Sequence, residues 1–314
     1  MPYSAIEHAV RPKIGLALGS GVARGWAHIG VVNTLSKAGF HADIVSGTSI
    51  GALVGGCSVA GKLPALETFA RSLTRRRMLS FLDLRFGGAG LISDAKLEAV
   101  LQEHLRDIRI EHLGRTFVSV ATELDTGHEV WLHNGDLIDA IRASYAMPGV
   151  FQPVHREGRW LIDGALVNPV PVSVCRALGA RMVIAINLNA DVFGKAMIPE
   201  TNTIATADFA QQGKLSDRLF KRKPEAEPSL PRQVLGSKKS GPGVTGVMLS
   251  AFNIVQDRLA RARLAGDPPD VTITPPVGHI NPIDFDKADD LIRIGAQATE
   301  EALPHIEEAM KVLS

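Results

Sequence analysis

Cysteine is nearly missing from this chain: Cys57 and Cys175 are the only two in 314 residues. Two such residues build no disulfide framework, and their spacing is not that of a zinc site. A surplus of either charge is missing too. The 34 Lys and Arg stand against 33 Asp and Glu, a formal net charge of +1, whereas a dedicated nucleic-acid binder normally carries a basic excess. Long apolar runs are also lacking. The least polar stretch, Ile44 to Ala60, is broken by Ser, Thr and several glycines and makes a poor membrane span. The opening MPYSAIEHAVRPK has no charged-then-apolar leader pattern. The expectation is a cytoplasmic protein with no nucleic-acid partner, no metal and no other cofactor. Its composition, 45% hydrophobic and 21% charged, is that of an ordinary globular protein with ample core material.

What the chain does have is alternation. Ile14–Leu18 is a short apolar run ending in glycines, followed by a helical stretch from about Arg24 to Lys37 with Ile29, Val32 and Leu35 on one face. Gly39 supplies a stop signal. Ile44–Val45 begins a second strand, and Ser49 opens a second helix that runs to about Ala60. This order predicts βαβα units and a parallel sheet. Further strand-like runs fall at Phe117–Ala121, Val130–Leu132, Arg181–Leu188 and Val271–Thr274. Helical spacing falls at Asp94–Leu105, Asp136–Tyr145, Pro171–Leu178, Met248–Leu264 and about Asp286–Met310. One segment, 190–243, breaks the pattern. It contains KRKPEAEPSLPRQVLGSKKSGPG, whose Pro, Lys, Ser and Glu read as a long surface insertion, mobile in part. The expected organisation is a single α/β domain over 1–314, with its core at about 13–189 and 244–314.

Chemistry enters at two glycine-rich turns. The first strand ends in LALGSGVARGWAHIG, where Gly19, Gly21 and Gly25 bracket the entry to a helix. Three readings fit: a phosphate cradle for a dinucleotide, an oxyanion hole made of backbone N–H groups, or a tight turn that lets helix and strand pack closely. The dinucleotide reading wants an acid at the far end of the second strand, where this chain has Ser49; Asp43 sits at the near end. The second strand ends in Gly47-Thr48-Ser49-Ile50-Gly51. G-x-S-x-G places a serine on a sharp strand-to-helix turn, with the glycines letting neighbouring backbone pass close by. A serine nucleophile needs a base. If the base is a histidine, His279 in VGHINPID fits a Ser-acid-His order least badly. Alternatively, Asp163 follows the apolar Trp160-Leu161-Ile162 and precedes Gly164. A desolvated carboxylate there would take the proton directly, although Asp-Gly is also an ordinary turn signal.

Taken in order, G-x-G-x-x-R-G, G-x-S-x-G and D-G-A resemble the patatin-like phospholipase family, in its bacterial RssA-type branch allied to neuropathy target esterase. GLALGSGVARGWAHIGVV, IVSGTSIGALVG, AIRASYAMPGVFQPV, WLIDGALVNPVPVSV and RLAGDPPDVTITP carry the likeness, which covers most of the chain outside about 190–243. The resemblance implies a three-layer α/β/α sandwich with a mainly parallel central sheet. It implies a serine hydrolase of lipid-like acyl esters (lysophospholipase, phospholipase A or esterase) working through a Ser49–Asp163 dyad. It also implies an oxyanion loop of Ser20, Gly21 and Val22 supported by Arg24. The family often has glycine where this chain has Ser20 and Val22, and a Cβ at Val22 restricts the backbone and narrows the pocket. The alternative is a regulatory or scaffold protein that keeps this fold with little turnover. A further stretch, TRRRMLSFLDLRF at 74–86, sets Arg75–Arg77 beside apolar residues. It reads either as a peripheral contact with an anionic membrane surface or as a helix end followed by a packed segment.

Overall fold

The computed structural model describes residues 11–74, 94–190 and 244–313. Along the chain come β1 (Ile14–Leu18), α1 (Ala27–Lys37), β2 (Ile44–Thr48), α2 (Ile50–Val59), α3 (Leu63–Ser72) and α4 (Asp94–Leu105). Then follow β3 (Thr116–Glu123), β4 (Glu129–Leu132), α5 (Leu137–Tyr145), β5 (Val154–Arg156) and β6 (Arg159–Asp163). The order closes with α6 (Val172–Ala177), β7 (Met182–Ile186), α7 (Val244–Gly266), β8 (Val271–Ile273) and α8 (Ala288–Leu313). By contacts the chain divides into a larger unit, 1–193 with 252–314, and a smaller one, 194–251. The described residues of the smaller unit, 244–251, are helical.

Strands β1, β2 and β7 are buried at every position, so alternate side chains must be apolar toward both faces. Ile14, Leu16 and Leu18 of β1 join Val45, Ile184 and Ile186 in one core, with Ile29 of α1, Leu53 of α2, Leu66 of α3 and Leu291 of α8. Ala17, Val183 and Ala185 point the other way, against Val172 and Cys175 of α6 and Ala260 of α7. Helices thus cover both faces of one sheet, giving three layers, as the family resemblance implies. Helices α1 and α8 meet backbone to backbone: a Cβ at Gly30 would overlap the Ile292 carbonyl oxygen, and one at Gly295 the Ala27 carbonyl oxygen.

The sheet has eight strands, β5-β6-β3-β2-β1-β7-β8 with β4 also on β3. The pairs from β3 through β2, β1 and β7 to β8 are parallel, and those of β3 with β4, β3 with β6 and β5 with β6 are antiparallel. The parallel half matches expectation. The β5–β6 hairpin and α3 were not anticipated, because β5 is three residues long and α3 follows directly on α2.

One detail of register decides the geometry that follows. Ser119 faces Gly47 of β2 and Leu132 of β4, and Ala121 faces Val130 of β4 and Asp163 of β6. A residue has one partner on each edge of its strand, so β4 occupies one edge of β3 while β2 and β6 share the other. β2 runs up that edge to Thr48, opposite Val120, and β6 runs down it to Asp163, opposite Ala121. The two strands therefore meet end to end.

Candidate active site

Ser49 is the residue on which β2 turns into α2, with φ 57° and ψ −124°. That left-handed φ costs a non-glycine residue on the order of 1–3 kcal/mol and is held by its surroundings. The surroundings are the two motif glycines. A Cβ at Gly47 would lie 2.5 Å from the Ala52 nitrogen, and one at Gly51 would overlap the Leu18 carbonyl oxygen. The Ser49 N–H donates to Ser144 Oγ at 2.8 Å, and that hydroxyl donates to the Val120 carbonyl at 2.6 Å. Ser144, on α5, thereby ties the turn to β3. Sequence reasoning gave it no role, since a serine late in a helix carries no signal of its own.

The end-to-end meeting of β2 and β6 delivers Asp163 to Ser49. Ser49 Oγ donates to Asp163 Oδ2 at 2.8 Å, and Oδ1 accepts from the Ala165 N–H at 2.8 Å. The two oxygens of Asp163 are therefore divided: one caps the short turn Gly164–Leu166, and the other accepts from the serine. Gly164 is required, because a Cβ there would overlap the Val120 carbonyl oxygen. The Asp163 main chain is fixed by its N–H to the Ala146 carbonyl at 3.0 Å and by Thr122 Oγ1 donating to its carbonyl at 2.8 Å. Asp163 is wholly buried. Burial pushes its carboxyl up to about 7, against the smaller lowering effects of the Ala165 and Ser49 hydrogen bonds. His279 is exposed and Ser49 Oγ bonds to Asp163, so the histidine alternative is not what the geometry assembles.

The first glycine loop lies beside this turn, with Gly25 packed on Ile50 and Gly51 on the carbonyls of Leu18 and Gly19. The Gly19 N–H donates to Ile186 and the Ser20 N–H to Pro169, at 3.1 and 2.9 Å. The Ser20 amide is thus spent on the protein, a correction to the expectation that all three loop amides serve one hole. Its side chain is committed as well: Ser20 Oγ donates to Gln256 Oε1 at 2.6 Å. The Ala23 N–H goes to the Pro282 carbonyl and that of Arg24 to Gly21. The amides of Gly21 and Val22 have no partner among the described residues. Val22 sits at φ 53°, a left-handed backbone that β-branched residues seldom adopt. Arg24 supports the loop from within: it is buried, and its Nε donates to the Ile280 carbonyl at 2.8 Å.

Beneath the loop lies His28, fully buried, its Nε2 donating to the Gly19 carbonyl at 2.7 Å. Burial lowers this imidazole to about 4, the Gly19 hydrogen bond opposing, so it is neutral at ordinary pH. Sequence reasoning missed it because only histidines after Ser49 were weighed as bases. Among the described residues no group of three or more His, Cys, Asp or Glu is placed to hold a metal ion. The Arg75–Arg77 stretch and the 190–243 insertion lie outside the described residues.

Ser49 thus stands on a strained strand-to-helix turn, bonded to a buried carboxylate beside a glycine loop. Residues 16–176, which contain both turns and Asp163, match the patatin-like phospholipase family. The chain belongs to that family. Membership implies a lipid acyl hydrolase. This patatin-like protein is 33% identical over 333 residues to the uncharacterized NTE family protein Rv1063c of Mycobacterium tuberculosis, covering 94% of this chain and 92% of that one. It is 32% identical over 182 residues to the neuropathy target esterase sws of Drosophila melanogaster, covering 56% of this chain and 13% of that one. The patatin-like phospholipase domain-containing protein 6 of Mus musculus is similar at 32% over 183 residues, with 56% and 13% covered. Among the described residues, no helix is long and apolar enough to cross a membrane.

Proposed function

We propose that this patatin-like protein hydrolyses lipid-like acyl esters through a Ser49–Asp163 dyad. The observation that carries the reading is the 2.8 Å bond from Ser49 Oγ to a wholly buried carboxylate whose pKa burial has raised to about 7. A carboxylate at its ordinary pKa is a weak base for a hydroxyl, and raising it toward neutrality improves proton transfer without a histidine. Ser49 Oγ attacks the acyl carbon as Asp163 takes its proton. The tetrahedral oxyanion is met by the Gly21 and Val22 amides, two donors with no partner among the described residues to give up. Asp163 then returns the proton to the leaving alcohol, which departs and leaves the acyl group on Ser49. Water attacks this ester with Asp163 again as base, releasing the carboxylic acid and restoring the serine.

A fluorophosphonate probe followed by peptide mapping tests the assignment. The expected adduct is on Ser49, and it is absent from Ser49→Ala. Labelling of a different serine, or no labelling of a folded wild-type protein, overturns it; the second result favours a scaffold that retains the dyad without turnover. Contact with a membrane surface through Arg75–Arg77 belongs to the same proposal. Replacing the three with Gln is expected to leave soluble-ester hydrolysis within a few-fold while weakening binding to anionic vesicles at low salt.

A further inference from the structure

The end of the sheet away from Ser49 holds a cavity of about 350 Å³, at the small end of the range for small-molecule sites, ~300–1,000 Å³. Ile14 at the start of β1, Ala42 just before β2 and Arg115 just before β3 all line it. It is therefore at the amino ends of the parallel strands, whereas Ser49 follows the carboxyl end of β2. Val45 of β2 reaches its wall, and four residue steps along the chain separate Val45 from Ser49, roughly 13 Å at about 3.3 Å per residue. Its inner wall is aliphatic and buried, formed by Leu16, Leu35, Val45 and Leu63.

Against this apolar wall stands a cation with little to neutralise it. Arg115 is half-buried, and burial lowers its pKa. Its Nη2 donates to the Ser58 carbonyl at 3.1 Å, and no carboxylate among the described residues lies within ion-pair distance. Asp43 is the acid whose charge it feels, but both Asp43 oxygens are taken. Arg11 holds them at 2.7 and 3.1 Å, and the Ile14 N–H adds a bond at 2.8 Å. Glu67, which reaches Asn33 on the cavity wall, is held by Arg71. Asp43 and Glu67 are thus each paired with another arginine, not with Arg115. A guanidinium carries five donors in a planar fork, and one bond to Ser58 leaves the others for a bidentate acceptor.

We infer that this cavity binds an amphiphile with an anionic head, a carboxylate or a phosphate, and a short alkyl tail. Arg115 takes the head, and the tail lies against Leu16, Leu35, Val45 and Leu63. The inference is independent of the role given to Ser49.

Calorimetric titration of the wild-type chain with decanoate and decyl phosphate below their micelle concentrations, and with decanol below its solubility limit, tests it. At least one anion is expected to bind with unit stoichiometry. Arg115→Gln, which keeps a donor for the Ser58 carbonyl, is expected to weaken that anion about ten-fold or more while changing decanol little. Ser36→Trp places bulk on the cavity wall and is expected to weaken all three ligands while Arg115 is intact. Decanoate binding alone identifies a free fatty acid as the source, and decyl phosphate binding alone a phosphate headgroup. Absence of binding by both anions, or equal anion binding by wild type and a folded Arg115→Gln, overturns the proposal. So does equal binding by a folded Ser36→Trp, which would place the anion elsewhere.

Discussion

Replacing Asp163 with Asn should stabilise the protein, and by an amount that depends on pH. The carboxyl ordinarily titrates near 3.8 and in the fold near 7, because burial removes water's preference for the charged form. Between those values the folded state binds a proton that the unfolded chain does not. Stability from this group is therefore fully present below about 3.8 and is lost as pH rises through about 7. At 1.36 kcal/mol per pH unit, the ionised carboxylate costs roughly 4 kcal/mol above neutrality. Asn has nearly the same shape and no charge to desolvate, and its hydrogen-bond differences do not vary with pH. His28 is present in both proteins and cancels in the comparison. Urea unfolding of both at about pH 5 and about pH 8 reads the effect. The advantage of Asp163→Asn over wild type should grow by roughly 2–3 kcal/mol between the two conditions. An advantage that does not change with pH would refute the claim that Asp163 is buried with a raised pKa.

The same titration should govern turnover: kcat/KM on a soluble ester should fall about ten-fold per pH unit below about 7 and level off above it. Asp163→Asn should lose at least about 10³-fold in kcat, and His279→Ala, altering an exposed residue, should stay within about two-fold; a comparable loss in both would favour a triad. His28 acts on stability in the opposite sense to Asp163. Its pKa is depressed from 6.5 to about 4, so stability is fully present above about 6.5 and falls as pH drops through about 4, by roughly 3 kcal/mol in all. His28→Gln should remove that acid-side loss in pH-dependent unfolding. Gly51→Ala drives a Cβ into the Leu18 carbonyl and should cost about 2 kcal/mol or more while abolishing probe labelling at Ser49.

The local signals were legible because each is a short-range constraint. Ile14–Leu18 running into glycines, and Gly47-Thr48-Ser49-Ile50-Gly51 after a second apolar run, specify strand-to-helix turns. There the backbone passes so close that only glycine fits, at Gly51 against Leu18 and at Gly25 against Ile50. The alternation of such units likewise pointed to a parallel sheet, and the family resemblance to helices on both of its faces. Sequence alone could not choose between Asp163 and His279, since that choice rests on β6 meeting β2 end to end along β3, a register between strands more than a hundred residues apart. Nor could it show that the Ser20 amide is spent on Pro169 while those of Gly21 and Val22 are not. Burial is likewise a property of the assembled layers. The sequence determined the candidates, Ser49 with Asp163 or His279; the tertiary structure decided that Asp163 is wholly buried and within hydrogen-bond distance of Ser49 Oγ.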